Sequence, residues 1–130
     1  MSAIGTTLAT FSGNFDFILS ELRAAVDEDS PIIVMTYYNA LVHPDCPLNA
    51  LAPLGDIALE GGGPIAGGLN DLIRSIAASH GALVADTFGL LGPAELQPDC
   101  VHPNDAGYEV IADEFNKAVD GADEDEDDDD

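Results

Sequence analysis

Two short apolar runs constrain this chain more than any other feature. Ile32-Ile33-Val34-Met35-Thr36-Tyr37-Tyr38 and Ala82-Leu83-Val84-Ala85-Asp86-Thr87 are continuous rather than alternating, and the first is rich in β-branched residues. A run of that kind reads as a strand covered on both faces, the habit of parallel sheets flanked by helices. The segments around them have a different period. Leu8, Phe11, Phe15, Ile18, Leu22 and Val26 recur at spacings of three and four, predicting a helix from Thr6 to Val26 that Pro31 separates from the first run. Leu69, Leu72, Ile73, Ile76 and Ala77 predict a second helix within 65–80, stopped by Gly81. Tyr108, Ile111, Ala112, Phe115 and Val119 predict a third, with Asn104 as its N-cap. The order helix, strand, helix, strand, helix predicts an α/β fold with right-handed parallel crossovers.

Two parallel strands make a small sheet with an open apolar edge. The expectation is that a partner completes the sheet, or that the chain corresponds to part of a larger α/β unit. Between the first strand and the second helix, Asn39 to Pro64 contain four prolines and the triplet Gly61-Gly62-Gly63, which read as one long excursion without regular structure. Loops of that length often serve as lids or binding loops.

Charge narrows the function. Among 130 residues, 25 are acidic and 3 are Lys or Arg, a formal net charge of −22. Phosphate backbones and anionic lipid surfaces need cations that are almost absent here, so nucleic acid and membrane surfaces are excluded as partners. Nine of the acids lie within 120–130, predicting a disordered, solvated acidic tail from Asp120, with 1–119 as the folded domain. No apolar run reaches the roughly 18 residues of a membrane span. Met1 to Gly5 show no basic segment leading into an apolar one, hence no visible export signal.

In open parallel sheets, ligands bind beyond the carboxyl ends of the strands. Tyr38 and Asn39, after the first strand, are candidate substrate-binding residues by that rule, although core tyrosines with satisfied hydroxyls fit as well. The loop after the second strand delivers Asp99-Cys100-Val101-His102-Pro103-Asn104. A carboxylate three residues before a histidine on a tight turn can engage Nδ1 and leave Nε2 outward as a base. The whole stretch from Asp99 to Ala112 follows the pattern D-x-x-H-P-N-x-x-G-[aromatic or aliphatic]-x-x-[apolar]-A. It resembles the C-terminal block of the SGNH hydrolases, the GDSL-type esterase/lipase family. Residues 31–39 and 81–87 are similar to that family's fourth and fifth strands, and the likeness runs in order from about residue 6 to 119.

The resemblance implies a three-layer α/β/α, flavodoxin-like sandwich, represented by its C-terminal half, about two parallel strands and three helices. It implies hydrolysis of a carboxylic ester, with a small-molecule or lipid ester as substrate and neither cofactor nor metal. His102 would be the general base and then acid, and Asp99 the group that orients it. The family is often secreted; without a visible signal the default for this chain is the cytoplasm. Its G-D-S nucleophile block and its G-x-N-D oxyanion block do not occur ahead of residue 6. The sequence therefore predicts a homologue inactive by itself, completed by another chain or by a segment upstream of Met1, or else a non-catalytic interaction or structural protein, homo-oligomeric through its open edge.

Three further patterns require weighing. Of Ser2, Ser12, Ser20, Ser30, Ser75 and Ser79, Ser12 alone is followed by Gly and Asn, yet it lies in a helical stripe rather than a strand-to-helix turn. Gly68-Leu69-Asn70-Asp71 matches G-x-N-D in letters, but reads as a helix start with solvated Asn70 and Asp71. Cys46 and Cys100 admit two free thiols, a disulfide, or a zinc site with His43 and His102, in that order of preference.

Overall fold

A computed structural model describes residues 3–127, with side chains to residue 122. Four helices surround a two-stranded parallel sheet. Helix α1 spans Ala3–Ala25, strand β1 Ile33–Met35, α2 Ala52–Glu60, α3 Leu69–Ser79, strand β2 Leu83–Ala85 and α4 Asp105–Asp127. Single 3-10 turns occupy Ala40–Val42, Asn49–Leu51 and Pro93–Glu95. The mixed α/β alternation is thus present, with one helix more than the sequence pattern predicts.

The extra helix is α2, inside the stretch expected to be irregular. Pro53 does not break it, because in the first turn of a helix the backbone N–H has no intrahelical acceptor in any case. The helix ends at Gly61, whose φ of +79° is accessible to glycine at little cost. At its other limit the chain also departs from expectation: α4 continues eight residues past Val119. Once a helix is anchored by packed residues such as Ile111, each added residue avoids the nucleation cost. The segment read as a tail from Asp120 falls partly on α4 and partly, at 128–130, outside the described residues.

The strands pair Ile33 with Leu83, Val34 with Val84 and Met35 with Ala85. Side chains prolong the ladder beyond its formal end. Thr36 Oγ1 donates to Asp86 Oδ1 at 2.9 Å and accepts from Thr87 N at 2.9 Å, while Thr87 Oγ1 donates to the Thr36 carbonyl at 2.7 Å. Both threonines are fully buried, so each hydroxyl replaces a backbone partner that the diverging chains no longer supply. Coverage of the strands is thinner than their apolar character predicts: Ala85 is buried, whereas Ile33, Val34, Met35, Leu83 and Val84 are half-buried. With β2 on one side only, β1 keeps an edge without a strand partner among the described residues.

Helix α3 packs on both strands and α4 on β2, and α1 lies against α3. Only Leu19 of α1 is buried. Of its predicted stripe, Ile18, Leu22 and Val26 are exposed, as is Phe17 at 64%. Polar clamps hold α1 instead: Arg23 donates to the carbonyls of Ser30, His80 and Gly81, and Asp16 meets His80 Nε2 at 2.7 Å. No helix of the described residues is long and apolar enough to cross a membrane.

Candidate functional site

Asp99 and His102 occupy a turn in which one carboxylate serves both the backbone and the imidazole. Asp99 Oδ1 accepts from the backbone N–H of Val101 at 3.0 Å and of His102 at 2.8 Å. This is the Asx habit of satisfying the backbone two and three residues on. The other oxygen, Oδ2, lies 2.6 Å from His102 Nδ1. The two backbone donors and the imidazole hold the Asp99 carboxyl down to about 2, well below the usual carboxylate range. An ionised carboxylate only accepts, so in the neutral imidazole the proton sits on Nδ1 and the lone pair on Nε2. His102 is exposed, and its Nε2 has no hydrogen-bond partner among the described residues.

Pro103, Asn104 and Gly107 of the block each have a mechanical duty, whereas Tyr108 and Ala112 are exposed. Pro103 confines His102 to extended backbone, and Leu96 bridges Pro103 in antiparallel fashion, with Gln97 N donating to the His102 carbonyl at 2.9 Å. Asn104 caps α4: its Oδ1 accepts from Gly107 N at 3.0 Å, and its Nδ2 donates to the Ala94 carbonyl at 2.8 Å. At Gly107 any Cβ would overlap the Glu95 carbonyl oxygen, so only glycine lets α4 start this close to the preceding turn. Behind the turn, Leu91, Leu96 and Ala40 form a small core joined by Val110 and Ile111.

Cys46 and Cys100 are joined in a disulfide, with Cα atoms 5.1 Å apart. This corrects the preference for two free thiols, and with both sulfurs bonded together the zinc arrangement with His43 and His102 is not formed. Sequence spacing is blind to the pairing because it depends on the 43–51 turn folding back onto the residue between Asp99 and Val101.

The two candidate substrate contacts are already engaged. Tyr38 Oη donates to the Val101 carbonyl at 2.8 Å, and burial, then Tyr108 and Asp99 nearby, push its phenol upward. Asn39 is buried, donates to Ala52 O and Asp56 Oδ1 at 2.8 Å each, and accepts from Leu41 N at 3.1 Å. Its amide organises the chain between β1 and α2. The surface beside these residues is an apolar hollow of about 400 Å³, lined by Met35, Leu41, Leu59, Val101 and the Tyr38 ring. Ser12, by contrast, lies on α1 in a separate hollow of about 410 Å³ with Gly67, Gly68 and Asp71.

Gly68 to Asp71 do start a helix, Asp71 Oδ2 accepting from Gly68 N at 2.9 Å. Asn70, however, is fully buried rather than solvated. It accepts from Tyr37 N at 2.8 Å and donates to Tyr37 O at 2.9 Å, imitating a neighbouring strand at the end of β1. A third feature had no sequence signal. Arg74 binds both oxygens of Glu60 at 2.8 Å and reaches Asp86 Oδ2 at 2.9 Å, and it holds both carboxyls below their usual range. Compared with protein-family models, curated proteins and solved structures, the chain shows no match in any of the three.

Proposed function

We propose that this chain is a homologue of the SGNH, GDSL-type ester hydrolases and supplies the acid–base half of their chemistry. The observation that carries the reading is the Asp99–His102 pair, 2.6 Å apart on an exposed turn, with Asp99 saturated by donors and Nε2 unoccupied. A base so arranged takes a proton from a hydroxyl nucleophile and returns it to the leaving alkoxide, while the ionised Asp99 stabilises the imidazolium between the two steps. The block's Pro, Asn and Gly each have a physical duty in the turn, which supports the resemblance as more than a coincidence of letters. The family's three-layer sandwich belongs to this proposal, with β1 and β2 as a part of its sheet.

The nucleophile is the missing partner. No serine hydroxyl bonds Nε2 among the described residues, and Ser12 lines a hollow that shares no residue with the turn. Turnover therefore requires a serine from outside the described residues, on a complementing chain or on a further segment of the same one. Hydrolysis of short p-nitrophenyl esters by the chain supplied with a serine-bearing nucleophile half, compared between wild type and His102→Ala, tests the assignment. Equal turnover in both removes His102 from the mechanism.

A second reading, a non-catalytic interaction protein, is favoured by the unpaired edge of β1 and the exposed Phe17, Ile18 and Leu22 of α1. An association through these surfaces gives a mass above one chain in light scattering, whereas a stable monomer across concentrations argues against it.

A further inference from the structure

Asp99, Val101 and His102 are all exposed, so no core packing holds the turn that pairs them. Cys100, between Asp99 and Val101, is the one non-glycine among the described residues with positive φ, at +67°. A side-chain-bearing residue disfavours that region. It is this excursion that turns the next two N–H groups onto the same oxygen, Asp99 Oδ1. The residue in the unfavourable conformation is also the one bonded through sulfur to Cys46, which is buried in the turn after the Ala40–Val42 segment. Tyr38 Oη on Val101 O and Gln97 N on His102 O are the other restraints, and both act downstream of Cys100.

We propose that the Cys46–Cys100 disulfide is the positioning element of the Asp99–His102 pair, which forms in the oxidised protein and separates on reduction while the rest of the fold persists. The relevance to catalysis rests on the hydrolase reading, but the geometry does not. In the reductive step a small dithiol transfers two electrons to the S–S bond by thiolate exchange, leaving Cys46 and Cys100 as thiols and the reagent as a cyclic disulfide. Cys100 is half-buried and lines the apolar hollow, which gives the reagent an approach to its sulfur. Freed from the bridge, Cys100 relaxes toward negative φ, the N–H groups of Val101 and His102 rotate off Oδ1, and His102 loses the partner that selects its tautomer.

The test reads the pair itself, so it succeeds or fails independently of whether any ester is hydrolysed. Ring-nitrogen NMR of the 15N-labelled full chain is recorded at mildly alkaline pH before and after dithiothreitol, with His102 assigned by its loss in His102→Gln. The expected result is an Nδ1–H tautomer in the oxidised protein that gives way to predominantly Nε2–H on reduction. Amide exchange at Val101 and His102 rises about tenfold or more, while the amide chemical shifts of Ile76 and Ala77 and the circular dichroism at 222 nm stay those of the folded protein. Tyr38→Phe with the bridge intact keeps the Nδ1–H tautomer. An unchanged tautomer after reduction overturns the proposal. So does a loss of the folded-state shifts of Ile76 and Ala77 together with those of His102, which means that reduction unfolds the chain rather than releasing one turn. A tautomer change in oxidised Tyr38→Phe would move the positioning role to Tyr38.

Discussion

Replacing Asn70 by Ala tests how β1 is held in place of a third strand. In the folded protein the Asn70 amide makes three hydrogen bonds, two to the backbone of Tyr37 and one to Glu60 Oε1 at 3.2 Å, from a position with no solvent exposure. Alanine removes all three and leaves the Tyr37 N–H and C=O, at the carboxyl end of β1, without the partner that saturates them. At roughly 1 kcal/mol net for each bond, the loss is about 3 kcal/mol. With a urea dependence of about 2 kcal/mol per molar, the midpoint falls by about 1.5 M, read by circular dichroism at 222 nm. Asn70→Asp sharpens the test because its shape is the same. The acceptor for Tyr37 N remains, but the donor becomes an oxygen facing Tyr37 O and the Glu60 carboxylate. The introduced carboxyl is buried beside an acceptor and an anion, so its folded pKa lies above its unfolded value, and the penalty is greatest at neutral pH and shrinks as pH falls through the folded value. A loss below about 0.5 kcal/mol in Asn70→Ala would refute the view that this amide substitutes for a strand.

The other predictions concern the bridge, the arginine cluster and the block glycine. Reducing the Cys46–Cys100 disulfide, which spans 54 positions, lowers stability by about 4 kcal/mol by the chain-entropy relation, measured by urea titration with and without dithiothreitol. Because Arg74 holds Glu60 and Asp86 below their usual range, stability is fully present above about pH 5 and declines as pH falls through those lowered values. Arg74→Gln flattens that dependence and costs about 1–2 kcal/mol at neutral pH, the lower part of the range for charged bonds since Asp86 is 46% exposed. Gly107→Ala forces its Cβ onto the Glu95 carbonyl and costs about 2 kcal/mol or more, visible as a lower thermal midpoint.

Local chemistry was legible in the amino-acid sequence, and long-range closure was not. The alternation of strand and helix followed from period alone, because Ile33 to Met35 and Leu83 to Ala85 are apolar on both faces and the flanking segments repeat every three to four residues. The Asp99–His102 pairing was legible because the three bonds that Asp99 accepts run within three residues, whereas Tyr38, Gln97 and the bridge to Cys46 reach the turn from farther away. Helix α2 is not legible because Pro53 and Gly55 weigh against a helix unless its start is known, and the contact that ties its first turn to the end of β1, Asn39 Nδ2 on Ala52 O, comes from 13 residues away.

What remained for the tertiary structure was every decision that joins distant positions. Whether Cys46 meets Cys100, whether Asn70 is solvated or buried against Tyr37, and which of Glu60 and Asp86 share Arg74 depend on separations of 12 to 54 positions. Those separations carry no periodic signal, since side chains far apart in sequence meet only after the elements between them have packed. Sequence determined the strands, the helices nearest them and the chemistry of one turn. Tertiary structure determined what holds that turn and what stands in for the strand that β1 lacks.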